Sequence, residues 1–392
     1  MDTIRINRMK RFMKESGFDA LVVRLPENVL YLSGYWPIIG ASLLLFPLEG
    51  EPVLFAPEDE NPYIAQGWVK DVRRYKYFNV NALSNPNRDI SVLLKKAVAE
   101  KKLEKAVIGY EGSFELTACN HVRAETRVAT VSSLNMLQEI LPVAKLVDAT
   151  KAIVRSRACK SPEEIRLLKV ACEITAFGYQ AAKEMIKPGL KETEVAMAVE
   201  AGAHIQGVGY QGTTRAQAFA FVMGGENSVS AWRPFVISSD YVLKNGDVAL
   251  LEVDAYADGY FIDLTRTYAV GTPTDQQLRI YEKVVEAQET ALAAIKPGVR
   301  AADIDVIAQQ VLRDAGLLQY RKHHLGHGVG LQFHDPVPTL LPVSEDVLEE
   351  GMTFAVEPAV YVPGVGGLRV EDNVVVTKDG FEYLSVLSKS LI

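Results

Sequence analysis

The stretch EVDAYADGYFIDLTRT, residues 252–267, places four acidic side chains within twelve residues of a pattern typical of a β-hairpin. Asp258 and the glycine that follows it form a favoured hairpin turn. If these two residues are the loop, Asp254 faces Asp263 directly and Glu252 lies diagonally; with a four-residue loop, Glu252 faces Asp263. Both registers put the three acids on one face, since alternate residues of a strand point to the same side.

Like charges that face each other destabilise a sheet, and the penalty grows as the dielectric constant falls in a buried site. Protonation, a cationic partner or a metal ion relieves it. One interpretation is a solvent-facing hairpin with Arg266 or lysine side chains nearby. The neighbouring positions are instead apolar, which favours a buried hairpin that holds a cation: Val248, Leu250, Val253, Phe261 and Leu264.

Composition and charge exclude several classes of function. The chain has 392 residues, of which 48% are hydrophobic and 23% charged, so it is long enough for two or three domains. Its net charge of −7 argues against a nucleic-acid or anionic-membrane partner. The N-terminal residues lack the apolar core of a signal peptide, and no apolar run reaches the roughly 18 residues of a membrane span. We therefore expect a cytoplasmic protein with neither kind of partner.

Two parts of the chain differ in organisation. Residues 1–150 alternate apolar strands with amphipathic helices, which predicts an α/β domain, and within it we expect Asp89 to cap a helix. The sequence SPEE at 161–164 is a strong helix start, with serine at the N-cap, proline next and glutamate in the first turn. The second domain is accordingly placed at 151–392.

An internal repeat marks this second domain. MIKPGLKETEVAMAVE (185–200) resembles AIKPGVRAADIDVIAQQ (294–310), and the two Pro-Gly pairs lie 109 residues apart. Each copy is followed by acid-bearing strands, at 247–270 and at 353–377. A duplicated α+β half with acids at equivalent places predicts a pseudo-two-fold domain. The acids that would meet at its centre are Glu252, Asp263, Glu357 and Glu371.

Histidines form a second cluster in the sequence HHLGHGVGLQFHDP, residues 323–336, which holds four of the six histidines of the chain. Glycines on both sides of His327 let the backbone bend tightly and approach a ligand. One nitrogen and four carboxylates suit two divalent ions such as manganese, iron, cobalt or zinc. Two such ions would neutralise the acids and hold a bridging hydroxide as nucleophile.

These segments resemble the pita-bread metallohydrolases, the family of methionine aminopeptidase, aminopeptidase P, prolidase and the metal-free creatinase. The resemblance spans most of the chain, and ENVLYLSGY (27–35) is similar to the creatinase/prolidase N-terminal domain. It therefore favours the proline-peptidase branch. The implied fold is α+β, with an N-terminal α/β domain and a C-terminal pita-bread domain of pseudo-two-fold symmetry. A homodimer formed through the N-terminal domain is also implied.

The resemblance further implies five ligands for two divalent ions, with manganese favoured over cobalt, zinc or iron. The motifs that carry them are Asp-x-Thr-Arg-Thr, Gly-His-Gly, Glu-Pro and Arg-x-Glu-Asp. The implied ligands are Glu252, Asp263, His327, Glu357 and Glu371. Glu357 is also the implied general base, His334 the substrate-side histidine and Arg369 the arginine that orients the substrate.

Two positions depart from the family pattern. The first ligand is usually aspartate, but this sequence has Glu252, and Asp254 is the alternative donor. The family also has a histidine five residues after the asparagine of its Gly-x-Asn motif, where this chain has Trp232. Tryptophan stacks and excludes water but does not transfer protons. The role would then fall to His334 alone, with Arg233 as a candidate for binding an anionic group or a carbonyl.

The expected function is metal-dependent hydrolysis of small X–Pro peptides, as an Xaa-Pro aminopeptidase or dipeptidase. The alternative is a metal-independent amidohydrolase, similar to creatinase or ectoine hydrolase, with Glu252 as nucleophile or base. Trp232 favours that alternative, whereas the retained acids and His327 argue against it. A non-catalytic binding module on the same fold is a third hypothesis, which the retained ligands also oppose.

Overall fold

The computed structural model describes residues 1–38, 41–77, 85–112, 131–233, 237–385 and 387–391. The chain divides into two compact units, Met1–Arg157 and Ala158–Ile392. The division at residue 150 that the sequence indicated stays a prediction. None of the helices in the described ranges combines the length and the apolar character that crossing a lipid bilayer demands.

The first unit contains a mixed six-stranded sheet with the order β4-β3-β2-β1-β5-β6. Its strands are β1 (Ala20–Val23), β2 (Leu43–Pro47), β3 (Val53–Pro57), β4 (Asp71–Tyr75), β5 (Val107–Tyr110) and β6 (Lys145–Asp148). Its helices are α1 (Thr3–Ser16), α2 (Pro26–Ser33), α3 (Asn61–Ile64), α4 (Pro86–Glu100), α5 (Val131–Ile140) and α6 (Thr150–Ala158). Buried residues of the strands, such as Leu45 and Ile108, pack with Leu94 of α4 and Leu137 of α5. The unit is an α/β domain, as the strand and helix pattern predicted.

Helix α4 begins four residues earlier than the sequence suggested. Asn85 is the N-cap, and its side chain accepts a hydrogen bond from the backbone N–H of Arg88 (3.1 Å). The expectation that Asp89 caps this helix is therefore wrong. Proline at the first helical position, Pro86, has a fixed φ suited to a helix start, so the chain becomes helical before it reaches Asp89.

The second unit consists of two α+β halves. The first half contains α7 (Pro162–Ala182), α8 (Glu192–Gly207), β7 (Ala216–Gly224), β8 (Val248–Ala257) and β9 (Tyr260–Ala269). The second contains α9 (Asp275–Ala293), α10 (Ala301–Asp314) and the strands β10 (Gly326–Gly328), β11 (Asp335–Leu340), β12 (Thr353–Val356), β13 (Ala359–Val362), β14 (Gly366–Arg369), β15 (Asp372–Val376) and β16 (Phe381–Tyr383). The sheets have the orders β7-β8-β9, β11-β10-β12-β15-β16 and β13-β14.

Equivalent contacts recur in the two halves. Lys191 forms an isolated β-bridge with Val242 before α8, and Arg300 forms the equivalent bridge with Val347 before α10. Lys191 and Arg300 are 109 positions apart, which is the spacing of the two Pro-Gly pairs. The duplicated α+β domain expected from the sequence is therefore confirmed at the level of individual hydrogen-bonded contacts.

Helices cover the sheets through apolar packing and through polar side chains that reach strand carbonyls. Tyr179 of α7 donates to the carbonyl of Leu251 (2.9 Å) on β8, and Gln288 of α9 donates to the carbonyl of Val356 (2.8 Å) on β12. These two helix residues are again 109 positions apart. Both side chains are buried, so each hydrogen bond satisfies a strand carbonyl that water does not reach.

Candidate metal centre

The hairpin of β8 and β9 fixes three acids on one face of the domain. Its loop is the two-residue turn at Asp258, where φ is 46°, and Gly259, where φ is 88°, as a type I′ turn requires. In the register of the two strands, Asp254 consequently lies directly opposite Asp263, and Glu252 lies opposite Thr265. The register with a two-residue loop is confirmed, and the four-residue alternative is wrong. Asp258 itself lies away from the acids and accepts hydrogen bonds from Thr214 and its neighbour.

The residues after Asp263 tie this hairpin to the second half. Thr265 donates from Oγ1 to a carboxylate oxygen of Glu371 (2.7 Å), and Thr267 donates to the carbonyl of Arg369 (2.8 Å). Arg266 is fully buried and forms an ion pair with Asp372 (2.6 Å). The solvent-facing interpretation is therefore wrong, and Arg266 does not neutralise the acids that face each other across the hairpin. The Thr-Arg-Thr sequence instead aligns β9 with the strands that carry the last acid.

Glycines determine where His327 lies. A Cβ at Gly326 would overlap the carbonyl oxygen of Ala355 on β12, so this strand pair approaches more closely than any other residue allows. Nδ1 of His327 lies 3.1 Å from the carbonyl oxygen of Gly328. In the tautomer that donates this hydrogen bond, Nε2 presents a lone pair to the acids, at 3.6 Å from Asp263 and 3.7 Å from Glu357.

Glu357 and Glu371 approach from the second half. Glu357 follows β12, and its backbone N–H donates to the carbonyl of Leu325 (2.7 Å), which fixes it beside the histidine segment. Glu371 lies between β14 and β15 and is fully buried. The sequence predicted acids from both halves at a shared centre, and these contacts place them there.

The acids and histidines form overlapping sets of close donor atoms. Within each set the donor atoms lie within 4.8 Å of one another. The sets are Glu252–Asp254–Asp263, Asp263–His327–His334, His327–Glu357–Glu371 and His323–His324–Glu357. Carboxylate and imidazole donors that converge in this way suit divalent ions such as manganese, cobalt or zinc.

Buried carboxylate oxygens without a hydrogen-bond partner show that the donor set fits such ions. Among the described residues, both oxygens of Asp254, Oδ1 of Asp263 and Oε1 of Glu371 have no such partner. A buried carboxylate that lacks hydrogen bonds is costly unless it is protonated or meets a cation. The orphaned oxygens therefore mark the positions at which bound cations would be most stabilising.

Arg369 is the cation that the chain itself supplies to the cluster. Nη2 forms a short ion pair with Glu252, and Nη1 lies 3.6 Å from Glu357. Burial alone lowers the pKa of the guanidinium, but the attraction of Glu252 and its neighbours raises it well above the ordinary value. The sequence identified Arg369 as a substrate residue and did not show that it would pair with the first acid.

The pKa values of the acids reflect their crowding. Burial raises the pKa of Glu357 to about 7, although His327 and Arg369 oppose the shift. Burial also raises the pKa of Asp254 well above its ordinary value, and Asp263 adds to this effect. For Asp263, burial alone raises the pKa, but the interaction with His327 lowers it overall.

Three further histidines surround the cluster. The ring of His334 lies 4.1 Å, centroid to centroid, from that of His327. His323 lies 2.9 Å from the Tyr361 hydroxyl through Nε2, and Nδ1 of His324 is 3.9 Å from Glu357. Burial lowers the pKa of His334 and of His323 to about 3, so both rings are neutral near pH 7. The adjacent histidines at 323 and 324 were visible in the sequence, but their contact with Glu357 was not.

The segment that departs from the family pattern has a structural role at its asparagine. Asn227 donates to Glu192 (3.1 Å), and Ser228 accepts a hydrogen bond from the backbone N–H of Gly367 (2.7 Å) in β14. Trp232 is 40% exposed, and the Arg233 guanidinium lies 5.5 Å from the centroid of its ring.

Comparison with known proteins agrees with this arrangement. Residues 166–378 match the model of metallopeptidase family M24, and residues 5–159 match that of the creatinase/prolidase N-terminal domain. The chain is 31% identical, over 99% of both chains, to the Xaa-Pro dipeptidase of Pyrococcus furiosus. It is 30% identical, again over 99% of both, to the putative dipeptidase YkvY of Bacillus subtilis.

Solved structures give the same result for the fold. The prolidase of Pyrococcus horikoshii OT3 superposes with a TM-score of 0.80 at 29% identity, covering 99% of this chain and 100% of that one. The prolidase of Pyrococcus furiosus superposes with a TM-score of 0.77 at 30% identity, covering 97% and 99%. The expected pita-bread architecture is confirmed. With both domain models matched and a metal-binding donor set in place, the chain belongs to metallopeptidase family M24.

Proposed function

We propose that this chain is a metal-dependent peptidase that hydrolyses the amide bond before proline in short X–Pro peptides, as an Xaa-Pro dipeptidase or aminopeptidase. The observation that carries the proposal is the convergence of buried acids and His327 from both halves of the second unit. Relatives of the same length named Xaa-Pro dipeptidase and structures named prolidase support the choice of substrate.

Five residues would hold two divalent ions in this proposal, and manganese is our first choice of metal. They are Glu252, Asp263, His327, Glu357 and Glu371. When bound, divalent ions supply a Lewis acid for the scissile carbonyl and lower the pKa of a coordinated water molecule.

Glu357 would move the proton. It would accept a proton from the attacking water and return it to the proline nitrogen as the C–N bond breaks. His334 would donate a ring N–H to the carbonyl oxygen, where negative charge develops. A neutral imidazole has one such N–H, and the pKa of about 3 keeps His334 neutral under assay conditions.

Arg369 would orient the substrate. It is buried, and its ion pair with Glu252 restricts the rotamers of a side chain that is otherwise flexible. A guanidinium held beside Glu357 presents fixed N–H donors to a peptide carbonyl or carboxylate.

The metal-independent alternative is not favoured. The relatives and structures described above are peptidases, and their similarity extends over the whole chain. In addition, a metal-free site has no reason to bury carboxylate oxygens without partners, as at Asp263 and Glu371 in the described chain.

The test is hydrolysis by the full-length protein before and after removal of its metal. We expect the purified chain to carry close to two divalent ions and to cleave Ala-Pro. Chelation should abolish cleavage, and added Mn²⁺ should restore it. Ala-Ala is the control for proline specificity, and creatine is the probe for the metal-independent alternative. Cleavage that persists in metal-free protein, or creatine hydrolysis without metal, would overturn the proposal.

A pair of variants separates catalysis from metal binding. His334→Ala should reduce kcat by about 10²- to 10⁴-fold, the usual contribution of a positioned proton donor, with the metal content unchanged. His204→Ala is the control, because His204 contacts the carbonyl of Ala216 (2.8 Å) outside the cluster. Equal activity of the two variants would remove His334 from the proposed machinery.

Three finer points remain part of this proposal: manganese rather than another divalent ion, a homodimer through the N-terminal domain, and a cytoplasmic location. The first follows from the oxygen-rich donor set, and the second follows from the family resemblance. Metal analysis of protein expressed without added metal and light scattering of the purified chain test the first two.

A further inference from the structure

One buried acid of the hairpin has no place in the five-ligand pattern. Asp254 is fully buried in the middle of β8, directly opposite Asp263 and on the same face as Glu252. Neither of its oxygens accepts a hydrogen bond, and none of the described lysine, arginine or histidine side chains forms an ion pair with it.

Two other buried aspartates of the same unit each form an ion pair with an arginine. Asp372 pairs with Arg266 (2.6 Å) and accepts a hydrogen bond from Ser385 (2.8 Å). Asp305 pairs with Arg321 and accepts from Gln309 (2.5 Å) and the backbone N–H of Leu325 (3.0 Å). Asp372 and Asp305, which only support the fold, therefore have both an ion pair and hydrogen bonds within the chain. Asp254 differs from both, and its donor atom lies within 4.8 Å of those of Glu252 and Asp263.

Glu252 shows why an additional donor would be needed at this place. One of its oxygens forms an ion pair with Arg369, and the same guanidinium lies 3.6 Å from Glu357. Part of the negative charge at the first ligand position is thus already balanced before any ion binds. The guanidinium of Arg369 therefore competes with a metal ion for this carboxylate, because both carry positive charge.

The charge of the cluster also shows where cations would bind. Among the described residues, the carboxylates of Glu252, Asp254, Asp263, Glu357 and Glu371 converge with one arginine, Arg369. One guanidinium balances one of these five charges, so a divalent ion beside Asp254 would relieve repulsion that the chain itself leaves.

We propose that Asp254 is an additional carboxylate ligand of the metal centre, a sixth donor that offsets the engagement of Glu252 by Arg369. This inference rests on the proposed function, because it concerns the same pair of ions. It assigns to β8 two metal-binding side chains in place of one.

Metal binding to the full-length, metal-stripped chain tests the inference without measuring activity. Titration calorimetry with Mn²⁺ should give close to two ions for the wild type. Asp254→Asn and Asp254→Ala should each lose one ion or bind the weaker ion at least about 10-fold less tightly, since even residues behind a metal ligand have effects of about 10- to 100-fold. The visible spectrum of the Co²⁺-loaded protein should change as well, because it reports the coordination number. Asp379→Asn, an exposed aspartate of the same unit, is the matched control.

Melting temperatures distinguish a ligand from a structural residue. Metal-free Asp254→Asn should melt no lower than the metal-free wild type, because the variant removes a carboxylate without partners. Its rise in melting temperature on adding Mn²⁺ should be smaller than that of the wild type. A lower melting temperature without metal, together with an unchanged rise, would indicate a structural role and overturn the inference.

The outcomes also separate this inference from the proposed function. A wild type that binds two ions and cleaves Ala-Pro, with both Asp254 variants binding metal equally well, overturns the inference alone. A wild type that takes up no metal overturns both.

Discussion

Replacement of Arg266 by methionine should loosen the hairpin that carries the first acids. Arg266 is fully buried; it pairs with Asp372 (2.6 Å) and donates to the carbonyls of Leu387 (2.8 Å) and Ser388 (2.8 Å). A further hydrogen bond reaches the carbonyl of Glu371. Methionine keeps most of the aliphatic stem but removes every donor. Asp372 then lacks its main partner, and four carbonyls, including that of Thr265, lose a donor.

The size of the effect follows from what remains around Asp372. Removal of one partner of a buried ion pair costs about 3–5 kcal/mol. Asp372 keeps the hydroxyl of Ser385 (2.8 Å), and the ammonium group of Lys389 lies 3.5 Å away and is partly exposed, so it can move closer. The lower end of that range, about 3 kcal/mol, therefore applies, which corresponds to about a 150-fold increase in the local opening equilibrium.

Hydrogen exchange measures this opening locally, which suits a chain of two units that need not unfold together. Amides of β9 should exchange about 150-fold faster in Arg266→Met, whereas those of β1 in the first unit should not change. Arg279→Met, at an exposed position of α9, is the control. Arg266→Met/Asp372→Asn should exchange more slowly than Arg266→Met alone, because no buried charge is left uncompensated. Exchange in β9 that is as slow as in the wild type would refute the assignment of Arg266 as the buried partner that fixes this strand.

Three more changes test the site and its support. Gly326→Ala should prevent His327 from reaching the acids, because the added Cβ overlaps a carbonyl oxygen of β12; calorimetry should show loss of Mn²⁺ binding. The affinity for Mn²⁺ should rise as the pH rises through about 7, because burial raises the pKa of Glu357 to about 7 and its proton must leave when metal binds; titrations in buffers of different ionisation enthalpy measure the released proton. Because of this raised pKa, the folded metal-free chain binds the proton of Glu357 more tightly than the unfolded chain does. The free energy of unfolding should therefore fall as the pH rises from about 4.5 to about 7, and denaturant titrations with chelator measure it. Tyr179→Phe should destabilise the second unit by about 1–3 kcal/mol, since two buried strand carbonyls lose their donor, and calorimetry of the second unit's transition should register it.

The sequence was most informative where local geometry decides the structure. An Asp-Gly turn between alternating strands determines a two-residue loop, and that loop determines which acids face each other. The repeat at 109 residues predicted the duplicated domain, because two copies of one helix-and-strand pattern bury their apolar faces in the same way. Glycines beside His327 predicted a tight bend that brings the histidine close to a ligand, and the structure shows that Gly326 also lets its strand approach the carbonyl of Ala355.

The sequence was less informative about partners that are distant along the chain. Alternation predicts the face on which Glu252 lies, but it does not reveal that Arg369, 117 positions later, pairs with it. One interpretation of the sequence placed Arg266 near the hairpin acids, but in the structure it forms an ion pair with Asp372 of the second half. Helix α4 shows the same limit at short range, because Pro86 starts the helix before Asp89 and Asn85 is its cap.

The distribution of the two arginines explains why this site depends on an added cation. Arg266 neutralises Asp372 and thereby holds the two halves together, so it has no charge left for the acids on the opposite face of the hairpin. Arg369 balances one of five carboxylates, and the oxygens of Asp254, Asp263 and Glu371 that lack partners in the described chain remain. Apolar packing around them makes this repulsion stronger, because it lowers the local dielectric constant. Ions that bind only the folded arrangement therefore stabilise it in proportion to their affinity. The same crowding that makes the metal-free centre unstable is what would let it hold two divalent ions tightly.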